Sequence, residues 1–268
     1  MHVRYTCDTR AMLVTMNDET APDFIGSLER DLDRIRSLCG DLSASIPSCP
    51  GWDLARLIGH LGRVHRMALA VLTTGAMQPA DPSSLDAPPT NPLELQSYFA
   101  SSSARLVDTL RSVDPNFACW TFLNGPHVAS FWLRRQAQEH AIHRVDAELA
   151  VGDPRPISTP IACDGIDEYL LMQTVRVLPK RPAWTLGGSL HLHATDAASA
   201  SAGEWMIQQR DATLVCTHEH GKGDAAIRGT ASDLLLGLWG RLDLTSDARF
   251  ERFGNPAVIA AAASLGGT

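Results

Sequence analysis

The sequence predicts an all-α four-helix bundle followed by a smaller C-terminal α+β domain. Two observations carry this expectation. Four segments in the first half repeat apolar residues at the helical period, each closed by turn-forming residues. Beyond "DPRPISTP" the period changes to short alternating runs, flanked by helical stretches. The boundaries drawn from these patterns are a disordered leader over 1–20, the helical domain over 21–153, the α+β domain over 154–258 and a tail over 259–268.

Taken in order, "APDFIGSLERDLDRIRSLCGDL" carries Phe24, Leu28, Leu32, Ile35 and Leu38 at helical spacing, with Gly40 as the stop. "SIPSCPGW" holds two prolines and a glycine and reads as a turn. The helical period resumes in "DLARLIGHLGRVHRMALAVL", where Asp53 is placed to cap the N-terminus. The Pro- and Ser-rich "TTGAMQPADPSSLDAPPTNP" is a loop. "LELQSYFASSSARLVDTLRSV" and "VASFWLRRQAQEHAIHRVDAELAVG" supply a third and a fourth helix, the latter ended by Gly152 and Pro154. Helices of similar length joined by loops make an antiparallel bundle the economical arrangement. Past the boundary, "CDGIDEYLLMQTVRVL" is helical. "WTLGGSLHLHATD", "GEWMIQQRD", "ATLVCTHEHG" and "AAIRGT" read as antiparallel strands. "ASDLLLGLWGRL" reads as a short helix with Ser232 as its N-cap candidate.

Composition narrows the function classes. A chain of 268 residues, 44% hydrophobic and 20% charged, is ordinary for a soluble globular protein. Its net charge of −7 leaves no basic stripe for phosphates, which excludes nucleic acid as a partner. No apolar run approaches the ~20 residues that span a bilayer, which excludes a membrane anchor of that kind. The cysteines Cys7, Cys39, Cys49, Cys119, Cys163 and Cys216 are scattered without a C-x-x-C pair, as expected of reduced thiols in a cytoplasmic protein. "MHVRYTCDTRAMLVTMNDET" lacks the build of a signal peptide and reads as a leader, with Met16 a second candidate start.

The chemistry concentrates in "RRQAQEHAIHRVDAE", which sets Glu139, His140 and His143 on one helical segment. Positions four apart share a helix face, so Glu139 and His143 project together. Their row runs back through Arg135 to Phe131 or Trp132 and forward to Asp146 and Leu149. It begins and ends apolar, so its middle faces inward. Buried charge is costly unless paired or bound to a cation, and a glutamate and a histidine in a helical core can satisfy each other through a metal. Catalytic zinc sites take three protein ligands and keep a fourth position open. The third candidate is His60 in "LIGHLGRVHRM", which interrupts the row of Val64, Met67 and Val71, whereas His65 lies on another face and reads as ordinary. The residues alone leave two alternatives open: a solvated Glu/His face, and His140 in place of Glu139 as a ligand.

"SCPGWDLARLIGHLGRVHR" followed by "RRQAQEHAIHRVDAE" resembles the mycothiol-dependent maleylpyruvate isomerase family of DinB-like metalloenzymes, and "HLHATD…GEWMI…GTASDLLLGLWGRL…RFGNPAV" resembles its C-terminal domain. The likeness runs from about Asp23 to Val258. It implies a DinB-like bundle joined to a sterol-carrier-like α+β domain, and a divalent metal, usually zinc, held by His60, Glu139 and His143. His140 then falls to a supporting or surface role. The resemblance places Arg241 of "LWGRL" near the substrate carboxylates, with Arg135 and Arg144 as rival guanidinium groups and Asp146 placed to orient a ligand histidine. It names mycothiol as the external thiol, since no cysteine matches the ligand positions. The reaction it implies is thiolate addition to an electrophilic small molecule, as a cis–trans isomerase or a thiol S-transferase. The alternative from another class is a non-catalytic small-ligand binder with a structural metal.

The remaining histidines pair as His191 with His193 and His218 with His220, two apart on expected strands. Each pair is expected to face one side of a solvated sheet rather than a second metal. Trp120, Trp132 and Trp239 are expected in the core.

Overall fold

The computed structural model describes residues 22–123 and 125–266, so the expected leader, Met16 and Cys7 lie outside the described residues. The chain divides into two compact units, one ending at Arg155 and the other beginning at Pro156. The first is helical and the second α+β.

Four long helices build the first unit: α1 (Phe24–Leu38), α2 (Leu54–Leu72), α3 (Pro92–Ser112) and α4 (Ala129–Val151). Their ends follow from local chemistry. The side chains of Asp23, Asp53 and Asn91 accept backbone N–H groups at the starts of α1, α2 and α3. Gly152 ends α4 in the left-handed region at φ 76°, where a side chain would be strained. Packing of α1 on α4 and of α2 on α3, with α2 and α3 also touching α4, buries Leu28, Ile35, Leu54, Ile58, Leu106 and Trp132. Each is worth about 1.5–3 kcal/mol relative to exposure. Tyr98 on α3 packs so closely on α2 that a Cβ at Gly62 would sit 2.4 Å from its ring.

Helix α4 is surrounded rather than amphipathic. Arg135, Gln136, Gln138, His140, His143, Arg144, Asp146 and Glu148 are all buried, on every face of the helix. Such residues stay ionised or polar inside only when paired. On the α1 side, Arg144 Nε lies 3.0 Å from Asp31 Oδ1, and Glu148 accepts from Arg144 Nη1 at 2.6 Å and from Arg34 Nε at 2.9 Å.

A second arrangement joins α2, α3 and α4 through two imidazoles. His140 Nδ1 donates to the Gln136 carbonyl at 2.7 Å, which leaves its Nε2 as the acceptor for His65 Nε2–H at 2.8 Å. His65 Nδ1 in turn accepts from Ser102 Oγ at 2.9 Å. The chain of bonds fixes both tautomers with both rings neutral. His65, read as ordinary, is a fully buried member of this chain of bonds, and of the two roles expected of His140, supporting or surface, its burial removes the surface one. Burial, with the neighbouring imidazole and arginine charges, holds His65 well below the ordinary histidine value, and burial pushes His140 down to about 4. Because the folded values lie below the unfolded value near 6.5, the unfolded chain binds protons first as pH falls. Stability is therefore expected to drop between pH 6.5 and 4, by about 3 kcal/mol for His140 alone. Asp31, whose carboxyl burial raises to about 6 against the pull of Arg144, works in the opposite sense over that range. The histidine contribution is thus read as the difference in urea midpoint against pH between the unaltered chain and His140→Gln; parallel curves would contradict it.

The second unit holds α5 (Thr159–Met172), which runs on through one π-helical turn and a short 3₁₀ segment to Lys180. Then come β1 (Leu190–Ala194), the one-turn α6 (Ala200–Gly203), β2 (Glu204–Arg210), β3 (Thr213–Thr217), β4 (Ala225–Gly229), α7 (Ala231–Leu238), β5 (Glu251–Gly254) and α8 (Pro256–Ala263). The strands form one sheet in the order β3-β2-β1-β4-β5. The pairing is not wholly antiparallel as expected, because β1 and β4 run parallel. Leu190, Leu192, Trp205, Ile207, Leu214, Ala225 and Ile227 share one sheet face in that register and are buried. The N-cap of α7 is Thr230, which accepts from the Asp233 N–H, and not Ser232, whose Oγ accepts from the Ile157 N–H at 2.9 Å. Sequence patterns pointed to neither β5 nor α8, and α8 occupies part of the expected tail. The reason is their size: an edge strand of 4 residues and an alanine-rich helix of 8 show no clear period. Trp132 is buried as expected, while Trp120 and Trp239 are only partly covered.

The five described cysteines are free thiols. Among the described residues, no helix is long and apolar enough to cross a membrane.

Candidate functional site

The site in the first unit is assembled by α2, α4 and the turn before α2. The turn "SIPSCPGW" is closed by the Ile46 N–H on the Trp52 carbonyl at 2.9 Å and the Trp52 N–H on the Cys49 carbonyl at 2.9 Å. Gly51 makes the reversal at φ 77°, a conformation that favours glycine. This turn delivers two groups. The Trp52 indole lies 5.2 Å, centroid to centroid, from the His60 ring and stacks 6.1 Å from the His143 ring. Ser48 Oγ donates to Asp146 Oδ1 at 2.6 Å.

The structure brings His60, Glu139 and His143 together. His60 Nε2 lies 3.0 Å from Glu139 Oε1, and His143 Nε2 lies 3.5 Å from the same oxygen. One ligand atom from each of the three lies within 4.8 Å of the others. For a tetrahedral ion with bonds of about 2.0–2.1 Å, neighbouring ligand atoms are about 3.3 Å apart, so the donor set fits a zinc-like cation. His143 Nδ1 donates to Asp146 Oδ2 at 2.9 Å, which leaves its Nε2 lone pair facing Glu139 and His60 in the neutral ring. Arg135 holds the other oxygen of Glu139, one turn back on the same helix.

The electrostatics follow from this geometry. Burial alone would raise Glu139, but the charge of Arg135 and the hydrogen bonds from His143 and His60 outweigh it and hold the carboxyl well below its usual range. Burial works against charging His143, yet its bonds to Asp146 and Glu139 prevail and lift it to about 9. A cation at this position would take over the role of that proton.

Side-chain exposure rises from 11% at His143 through 18% at Glu139 to 36% at His60, so the cluster opens on the α2 side. A cleft of about 510 Å³ lies there, lined by Trp52, Arg56, His60, Arg63 and Pro88 to Thr90. Pro88 reaches α2 because position 59 is glycine; a Cβ there would sit 3.3 Å from the proline ring. Arg56 and Arg63 stand about one turn either side of His60 and so share its face. The Pro-rich loop thus forms a wall of the site.

Of the other expected groups, Arg144 turns toward α1 and belongs to the Asp31–Glu148 network. Arg241, in the second unit just past α7, is partly covered and donates to the Trp239 carbonyl at 2.8 Å. Sequence reasoning passed over Trp52, Ser48, Arg56 and Arg63. The tight Pro/Gly turn immediately before an N-capped helix was the available signal for the first two, and spacing around His60 for the arginines.

Comparison with known proteins gives a consistent assignment. Residues 27–148 match the family model described as the mycothiol maleylpyruvate isomerase N-terminal domain, and residues 160–261 match the model of that family's C-terminal domain. No curated protein matches the chain. A crystal structure of the mycothiol-dependent maleylpyruvate isomerase is similar in fold, with a TM-score of 0.56 and 18% identity over 86% of this chain and 91% of that one. A crystal structure of a histidine-to-alanine mutant of such an isomerase is similar at a TM-score of 0.54 and 18% identity, over 82% and 89% of the two chains. With both family domains matched in order along most of its length, this chain belongs to the mycothiol-dependent maleylpyruvate isomerase family.

Proposed function

We propose that this chain is a metal-dependent, mycothiol-using enzyme acting on a small electrophilic keto acid, as a maleylpyruvate-type cis–trans isomerase or a closely related thiol S-transferase. The observation that carries the reading is the convergence of His60, Glu139 and His143 in a chain of this family, with Asp146 bound to the far nitrogen of His143. In this reading the first unit is a DinB-like four-helix bundle and the second a sterol-carrier-like module.

Bound by the three side chains, a divalent ion such as Zn²⁺ would lower the pKa of an external thiol and so supply a thiolate nucleophile near neutral pH. The chain itself provides the setting. Asp146 keeps the His143 ring in the tautomer that leaves Nε2 free, and Ser48 steadies Asp146. Arg135 balances the charge on the second oxygen of Glu139. The Trp52 ring packs beside both imidazoles and restricts their orientation. Among the described residues the cluster contains no cysteine, which fits a thiol brought from outside.

A keto dicarboxylate needs cationic partners, and a guanidinium offers two parallel donors to a carboxylate. Arg241 fills that role in the family's pattern, while Arg56 and Arg63 line the cleft beside His60. Loss of a charged hydrogen bond to substrate is expected to raise KM on the order of tenfold to a hundredfold. Separate Arg241→Ala, Arg56→Ala and Arg63→Ala variants assign the clamp by which of them shows that rise.

The reading is tested by following maleylpyruvate absorbance with zinc-loaded protein, with and without mycothiol. Thiol-dependent conversion to the trans isomer supports the isomerase, and accumulation of a thiol conjugate supports the transferase. Saturable binding with neither reaction would leave a non-catalytic ligand-binding protein.

A further inference from the structure

We propose a second divalent-metal site, of the zinc class, in the α+β unit, formed by His191, Glu204 and His220. It is independent of the first site and shares no residue with it.

The topology creates it. Strands β3 and β4 run parallel and are separated in the sheet by β2 and β1, yet only residues 218–224 join them. Thr217 pairs with Met206, which pairs with His191, and Ala225 pairs with Leu190. The connection therefore leaves β3 and enters β4 at nearly the same height. It must cross three strand spacings, about 14 Å, over a face of the sheet. Two glycines press it onto the face that carries His191 and Met206. A Cβ at Gly221 would sit 2.8 Å from the Met206 methyl, and one at Gly223 would sit 3.1 Å from the His191 backbone nitrogen. This crossing buries a face expected to be solvated, and it lays His220 over Glu204.

The crossing also separates His218 from His220. Both lie past the end of β3, so the two-residue alternation of a strand does not hold. His218 Nε2 lies 3.0 Å from Asp167 Oδ1 on α5, while His220 Nδ1 lies 2.7 Å from Glu204 Oε2. His191 Nε2 lies 3.2 Å from that same oxygen. The two separations from Glu204 Oε2 are hydrogen-bond distances at or somewhat below the spacing of about 3.3 Å that bonds of about 2.0–2.1 Å to one tetrahedral ion set, and all three ligand atoms fall within 4.8 Å of one another.

The carboxylate supplies the second argument. Its side chain is only 7% exposed, and its ion-pair partners among the described residues are the two imidazoles, with no arginine or lysine. A buried carboxylate needs a positive partner. A divalent cation meets that need while both rings stay neutral. His220 is exposed, which leaves one side open for water or for His193, whose ring lies 6.1 Å from that of His191. Such an ion would fasten the 218–224 crossing to β1 and β2.

The test uses the full chain, stripped with a chelator and titrated with Zn²⁺ alone, and counts equivalents retained after desalting. The unaltered protein is expected to keep two, and His220→Ala, in an exposed position, to keep one. His60→Ala is also expected to keep one, and the double variant none. Equal stoichiometry with and without His220, or zinc lost entirely from His60→Ala, overturns this site. One equivalent that survives His60→Ala and disappears in His220→Ala supports this site and removes the first. Zinc that washes off every form removes both.

Discussion

His60→Ala is expected to abolish thiol chemistry while leaving the fold intact. His60 is the one member of the cluster supplied by α2, and its side chain is 36% exposed, so little packing is lost with it. A change confined to a partly exposed side chain alters stability by about 1 kcal/mol or less. Removing one of three proposed ligands, however, should cost more metal affinity than the tenfold to hundredfold typical of disturbing a supporting contact. Asp146→Asn gives that smaller loss for comparison, because it keeps all three ligand atoms and weakens the anchor of His143. Turnover and metal content, measured after chelation and reloading, should therefore fall in the order unaltered, Asp146→Asn, His60→Ala. Full thiol-dependent turnover in metal-depleted His60→Ala would falsify the proposed centre.

Glu148→Ala is expected to destabilise the helical unit by about 3–5 kcal/mol, because it leaves buried charge without its partner. Glu148 is fully buried and accepts from Arg34, from Arg144 and from the Arg155 N–H at 2.9 Å. Without it, Arg144 retains Asp31, whose carboxyl burial already raises to about 6 and which is therefore a weaker counter-charge near that pH. Arg34→Ala should cost far less, since that guanidinium is partly solvated. Urea unfolding separates the two; equal midpoints would show that the network contributes little. The effect is structural, because this network faces α1 while the metal-type cluster faces α2, so turnover per folded molecule should be unchanged.

Much of the helical unit was legible because its determinants are local. Asp53 before an apolar period, Gly152 after one, and prolines between them mark ends without reference to the rest of the chain. The pairing of Glu139 with His143 was legible for the same reason, since four residues along a helix is one turn. The α+β unit was less so. Strand order decides that β1 and β4 run parallel, and a crossing over the sheet decides that His220 meets Glu204 while His218 does not; neither has a local signal.

What the chain alone determined was where helices begin and end, which side chains share a turn, and which family its motifs resemble. Tertiary structure decided which polar groups those turns meet: His140 turned to His65, Ser48 on Asp146, and Trp52 across the cluster. The physical reason is the surrounding of α4. A helix packed on every side has no solvent face for its period to reveal, so the destination of each buried polar group depends on partners brought from distant parts of the sequence.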